Sequence, residues 1–89
     1  MEKYFILLIE DMGKIEWKLL KEKLDLAIDW LKIMPNSFIL RTTSNTSQWY
    51  ARLQTVLSDT TFFITEIDIN NRTGWMSKSK WNWINKNLQ

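Results

Sequence analysis

Cysteine and histidine are both missing from the 89 residues. With them go the thiolate nucleophile, the disulfide, the histidine general base and the usual Cys/His zinc site. Any chemistry has to come from carboxylates, hydroxyls and lysines. The two glycines, Gly13 and Gly74, lie too far apart to form a phosphate-cradling glycine loop. Nucleotide cofactors held in that way are excluded, and no cofactor is expected. The longest apolar run, Tyr4 to Ile9, is six residues, against the ~20 that span a bilayer, and no basic-plus-apolar leader precedes it. No membrane partner is expected, and a cytoplasmic location is the default, with which the absence of cysteine is compatible.

What the chain does have is aromatic bulk: six Trp, four Phe and two Tyr within an ordinary 45% hydrophobic and 25% charged composition. That composition excludes disorder, and the length suits one domain over residues 1–89. Domains this small bury a reduced share of their surface. Since each Trp or Phe buries ~150–250 Å², much of the aromatic excess belongs to a core and some to a subunit interface.

Lys3 to Glu10 is a short apolar run with aromatic and β-branched members, the pattern of a strand buried on both faces. From Lys14 the period changes. Trp17, Leu20, Leu24, Ala27 and Ile28 fall on one helical stripe, with Lys14, Lys18, Lys21, Glu22 and Asp25 opposite. Pro35-Asn36 marks a turn between two strand-like stretches and predicts a hairpin. Ser44-Asn45-Thr46-Ser47 supplies N-cap residues for a second helix carrying Trp49, Tyr50, Leu53, Val56 and Leu57. Thr60 to Ile69 reads as a fourth strand, Asn70 to Gly74 as a turn, and Trp81, Ile84 and Leu88 as the stripe of a short final helix capped by Ser77 or Ser79. The order β-α-β-β-α-β predicts a ferredoxin-like α+β fold: a four-stranded antiparallel sheet with two helices on one face and a short C-terminal helix or extension.

Charge divides the chain differently. Residues 1–40 hold seven acids and six lysines, and residues 41–68 three acids and two arginines. Arg72, Lys78, Lys80 and Lys86 follow with no acid among residues 69–89, so the whole positive excess behind the net charge of +2 lies there. Trp75, Trp81 and Trp83 lie there too.

Several stretches resemble small SinR-like bacterial and phage proteins: the charged loop after the first strand, the apolar hairpin from Trp30 to Thr43, the strand entry Asp59-Thr-Thr-Phe-Phe-Ile, and Gly74-Trp75 followed by Trp81-Asn-Trp-Ile. Those proteins are in turn similar to the small CRISPR-adaptation endoribonuclease fold, the VapD toxins and the GhoS antitoxin. The resemblance spans nearly the whole chain and rests on strand and turn patterns. It implies the same fold, a homodimer, a toxin–antitoxin or phage-defence setting, and a metal-binding acid at the end of the first strand, where this chain has Glu10-Asp11. The family's Tyr-Asp is replaced here by Ile-Glu-Asp.

Glu10 and Asp11 are accordingly the candidate catalytic and Mg²⁺ ligands, helped by the Ser44 hydroxyl, since hard cations take oxygen ligands and neutralise phosphoryl charge. The plainer reading is an exposed acidic loop near a helix N-terminus. Glu66 and Asp68, two apart on the fourth strand, read as a solvent- or partner-facing pair, an edge guard, or an acid pair for sugar chemistry. Arg72, Trp75, Lys78, Lys80, Trp83 and Lys86 interleave cations with aromatic rings, the composition that neutralises phosphates while stacking on bases. Trp81 falls on the apolar stripe; Trp83 lies off it and is the ring expected to be exposed. The expected function is a non-enzymatic, homodimeric module that binds RNA, DNA or a protein partner through its open sheet face and basic, Trp-bearing C-terminus. The alternative is a Mg²⁺-dependent endoribonuclease using the strand-end carboxylates.

Overall fold

The protein is described by a computed structural model over residues 1–88. Strand β1 (Lys3–Ile9) alternates unequally. Phe5, Leu7 and Ile9 are buried, Tyr4 and Ile6 half-buried and Leu8 exposed, so the strand expected to be buried on both faces has one dry face and one partly wet one. Asp11 then accepts a 2.8 Å hydrogen bond from the Gly13 amide and caps a 3₁₀ turn, Met12–Lys14, which delays α1 to Trp17–Leu24 instead of Lys14. A Cβ on Gly13 would stand 3.0 Å from Asp11 Oδ1, so glycine leaves room for this cap. The helix buries Leu20 and Leu24 and stops before Ile28, whose amide has joined the sheet by donating to Arg41 O at 2.8 Å.

Strands β2 (Asp29–Met34) and β3 (Ser37–Thr42) form the expected hairpin around Pro35-Asn36, with an irregular register between Lys32 and Met34. Helix α2 (Thr46–Leu53) is capped by Asn45, which accepts from the Gln48 amide at 2.9 Å while the Gln48 side chain accepts from the Asn45 amide at 2.8 Å. This reciprocal box selects Asn45 among the four candidate capping residues. Strand β4 is shorter than expected, Phe62–Ile67, because the Asp68 carboxylate accepts from the Asn70 amide and turns the chain. Helix α3 runs Lys78–Asn87 from an N-cap at Ser77.

All pairings are antiparallel in the order β2-β3-β1-β4, the ferredoxin-like α+β arrangement that the element order predicts. On one face, Phe5, Leu7, Phe38 and Leu40 pack with Leu20, Leu24, Trp49 and Leu53 of α1 and α2. The Trp49 indole, fully buried, donates to Thr42 Oγ1 at 3.1 Å, so its single polar atom is satisfied inside this core.

The other face is not left open. Ile84 of α3 joins Ile39 and Ile69 in a second buried cluster, surrounded by Tyr4, Leu31, Ile33, Ile67, Trp81 and Trp83. The sheet face expected to be free for a partner is therefore partly covered by the chain's own C-terminus. Burying this apolar surface at roughly 25 cal/mol per Å² holds α3 in place.

Candidate nucleic-acid interface

Each residue of the C-terminal set is either a tether of α3 or a part of its outer surface. Lys80 donates from Nζ to the Ile33 carbonyl at 2.8 Å, so its charge ends on the backbone of β2. Trp83, expected to be the exposed ring, is half-buried and, like Trp81, packs against the second cluster. The correction has a geometric cause: a helix on a flat sheet presents a wider apolar arc than a single i, i+3, i+7 stripe, so position 83 also faces inward.

The tethers continue at the helix C-terminus. Asn87, 6% exposed, accepts from Arg41 Nη1 at 3.1 Å and donates to Trp83 O at 2.9 Å and Asp29 Oδ2 at 3.3 Å, while its carbonyl accepts from the Tyr4 hydroxyl. Arg41 also forks onto Glu2, with Nη2–Oε2 at 2.7 Å and Nε–Oε2 at 3.0 Å. Its guanidinium pKa is raised above its ordinary value by the hydrogen bonds to Glu2, with the attraction of Glu2, Tyr4 and Asp29 adding to them.

Arg72, Trp75, Lys78 and Lys86 remain on the outside, all exposed. Lys78, Asn82, Asn85 and Lys86 are spaced i, i+4, i+7 and i+8 and share the outward stripe of α3. Arg72 donates from Nη2 to Asn85 Oδ1 at 3.0 Å and from Nη1 to Ile69 O at 3.2 Å, which lays its guanidinium along the same stripe. Three cations thus stand on one surface, and none of them is ion-paired among the described residues. Trp75, just before the helix, is 100% exposed. It lies at a cleft of about 310 Å³ whose walls include Met34, Ile69, Met76 and Trp81. A wholly solvated indole that shares this cleft with Arg72, next to the helix whose outer stripe carries Lys78 and Lys86, is suited to stack on a base while the cations meet phosphates.

Of the strand-end acids, Asp11 makes a structural bond through its carboxylate and Glu10 through its backbone amide. Glu10 still belongs to the ladder, its amide donating to Thr61 O at 2.9 Å, so its side chain continues the alternation of Leu8 on the α3 face. Asp11 is tied at its amide to Thr60 Oγ1 at 3.0 Å, and one carboxylate oxygen is the cap of the 3₁₀ turn. Ser44, expected to assist, follows Thr42, whose partner Lys3 is at the opposite end of β1, and its hydroxyl accepts from Arg52 at 3.0 Å. Two divergent carboxylates and a distant hydroxyl do not fit a shared Mg²⁺ within one chain. No group of three acidic or other metal-binding side chains occurs among the described residues. Glu66 and Asp68 do not act as a pair either, since Glu66 ends on β4 and Asp68 caps the turn beyond it.

Asn85 and Asn87 are the residues that sequence reasoning passed over. Their roles depend on Arg72 and Arg41, 13 and 46 positions away in the chain, and no local pattern announces such partners. Among the described residues no helix is long and apolar enough to cross a membrane. No protein-family model, no curated protein and no solved structure matches the chain.

Proposed function

We propose that the protein is a non-enzymatic, homodimeric binding module that contacts single-stranded nucleic acid through the outer surface of α3 and the segment leading into it. The observation that carries this reading is the fully solvated Trp75 at the cleft it shares with Arg72, three residues before Lys78, with none of Arg72, Lys78 and Lys86 ion-paired among the described residues. An exposed indole has a π-face for a base of any sequence, and nearby cations take the backbone. The first turn of α3 holds no acid, so its dipole adds to the attraction for phosphate. A toxin–antitoxin or phage-defence setting fits a small contact module of this kind.

Titrating the intrinsic tryptophan fluorescence with homopolymeric RNA and DNA at several salt concentrations tests the reading. Expected is quenching on binding, with a log–log salt slope of about −2 if three phosphates are neutralised on a single strand. Absence of salt-dependent binding to either polymer overturns the nucleic-acid reading and leaves a protein partner as the occupant of this surface.

A further inference from the structure

We infer that a second copy of this chain adds its β4 to the free edge of β4, antiparallel about a two-fold axis through Ile64, closing two four-stranded sheets into one of eight strands. The inference rests on the homodimeric reading and assigns the contact that makes the dimer.

The edge follows from the ladder. Strand β4 pairs with β1 alone. The Glu10 amide donates to Thr61 O at 2.9 Å within the register that sets Leu8 opposite Phe63 and Ile6 opposite Thr65. Hydrogen-bonded pairs alternate along an antiparallel ladder, so Phe63, Thr65 and Ile67 turn their backbone groups to β1. Phe62, Ile64 and Glu66 turn theirs outward. Among the described residues their three amides and three carbonyls have no backbone partner, and the sole contact is a 3.4 Å approach of Thr65 Oγ1 to Glu66 O. Such an edge is a template for another strand.

The chain's own β4 fits this template in one register better than in its neighbours. Setting Ile64 opposite Ile64 of the second copy puts Phe62 opposite Glu66 and Glu66 opposite Phe62, so all six outward groups pair in each chain. A shift by two residues in either direction leaves one outward residue of each chain unpaired. The favoured register also places the acid well. Phe62 lines a groove with Thr46, Ser47 and Tyr50 between α2 and the sheet edge, and Glu66 of the second copy enters it. Thr46 and Ser47 open α2, their amides are not among those used by the capping box, and the positive end of the helix favours a carboxylate there. Glu66 thereby selects a copy aligned in this register instead of merely guarding the edge.

On the opposite face the same arrangement covers the apolar surface that α3 leaves bare. Phe63 is 60% exposed and its cross-strand neighbour Leu8 41%. In the dimer Phe63 faces Thr65 of the second copy, and the two Phe63 rings are diagonal neighbours across the axis, within reach of aromatic side chains. A two-fold contact of one patch with itself ends at two chains and does not propagate into fibres.

Sedimentation equilibrium of the full chain, with far-ultraviolet circular dichroism as the control for folding, tests the assignment. The parent is expected at twice 10.8 kDa. Ile64→Pro removes an outward amide, which an edge strand tolerates, together with part of a side chain packed on the first cluster, and is expected to sediment as a folded monomer. Because the chain has no cysteine, Ile64→Cys introduces a unique thiol and is expected to cross-link to its own copy under mild oxidation. Glu66→Cys is not, since its two copies are separated by four residues, ~13 Å along the ladder. A monomeric parent overturns the dimer itself. A dimeric parent that stays dimeric as Ile64→Pro, or in which Ile64→Cys fails to cross-link, overturns the β4 edge while leaving the homodimer standing.

Discussion

Arg41 on β3 donates from Nη1 to Oδ1 of Asn87 at 3.1 Å, joining the centre of the sheet to the last turn of α3. Asn87 is the one buried polar residue of that helix, and each of its side-chain atoms is engaged. Asn87→Ala strands those partners. Its expected effect is a loss of about 1–3 kcal/mol, read as a shift of the urea midpoint, whereas Glu2→Gln, at the exposed end of the same network, should lose less than about 1 kcal/mol.

The lysines of α3 separate into two kinds. Lys80 is bonded to Ile33 O, while Lys78 is exposed. Lys80→Met is expected to lower stability by about 1 kcal/mol and to leave the salt slope of nucleic-acid binding unchanged. Lys78→Ala should do the reverse, reducing the slope by about 0.7 with stability within about 0.5 kcal/mol of the parent. Paired urea and salt titrations of both variants check the division.

Trp75 buries nothing, so its removal should not affect the fold. Trp75→Ala is expected to weaken binding to single strands by about 1–3 kcal/mol, roughly five- to 150-fold in Kd, with an unchanged thermal midpoint. Trp83→Ala should instead lower the midpoint, because that ring packs on the second cluster.

Asp25 is held below the ordinary carboxylate range, first by the hydrogen bond from Trp30 Nε1 at 2.9 Å and then by Lys21 Nζ, also at 2.9 Å. The folded state thus binds this proton more weakly than the unfolded chain does. Its contribution to stability is present above the ordinary aspartate value of 3.8 and disappears as pH falls through the lower folded-state value. Trp30→Phe should move the Asp25 carboxyl back toward its ordinary value in an NMR titration. The part of its stability deficit that comes from this bond should shrink in strong acid.

No Mg²⁺-dependent cleavage of RNA is expected from a contact module. Asp11→Asn keeps a capping oxygen and should leave the fold unchanged, as should Glu10→Gln, whose ladder bond is made by the backbone. RNA cleavage by the parent that disappears with chelator and in these two variants would refute the non-enzymatic reading.

Much of the fold was legible because its signals are local. Pro35-Asn36 punctuates the hairpin, Asn45 sits three residues before Gln48, and Phe5, Leu7 and Ile9 alternate in a run too short for anything but a strand. Boundaries moved where a side chain bonded its own backbone, as Asp11 and Asp68 do. These competing hydrogen bonds replace a turn of helix or a rung of ladder at little difference in free energy, and periodicity does not resolve them. Of the candidate interface, its composition was visible and its geometry was not. Trp75 and Trp83 look alike in the sequence, and so do Lys78 and Lys80.

By itself, then, the chain determined the class of fold: no cysteine or histidine chemistry, a small ferredoxin-like α+β arrangement, and a C-terminal segment where tryptophan and positive charge coincide. Tertiary structure decided which of those residues are free to act. When α3 settles on the second sheet face, burial takes Trp81 and Trp83 and a backbone carbonyl takes Lys80, leaving Trp75, Arg72, Lys78 and Lys86 outside. The reason is that apolar burial depends on which surface remains uncovered once the sheet has formed. That surface is assembled from strands far apart in the chain.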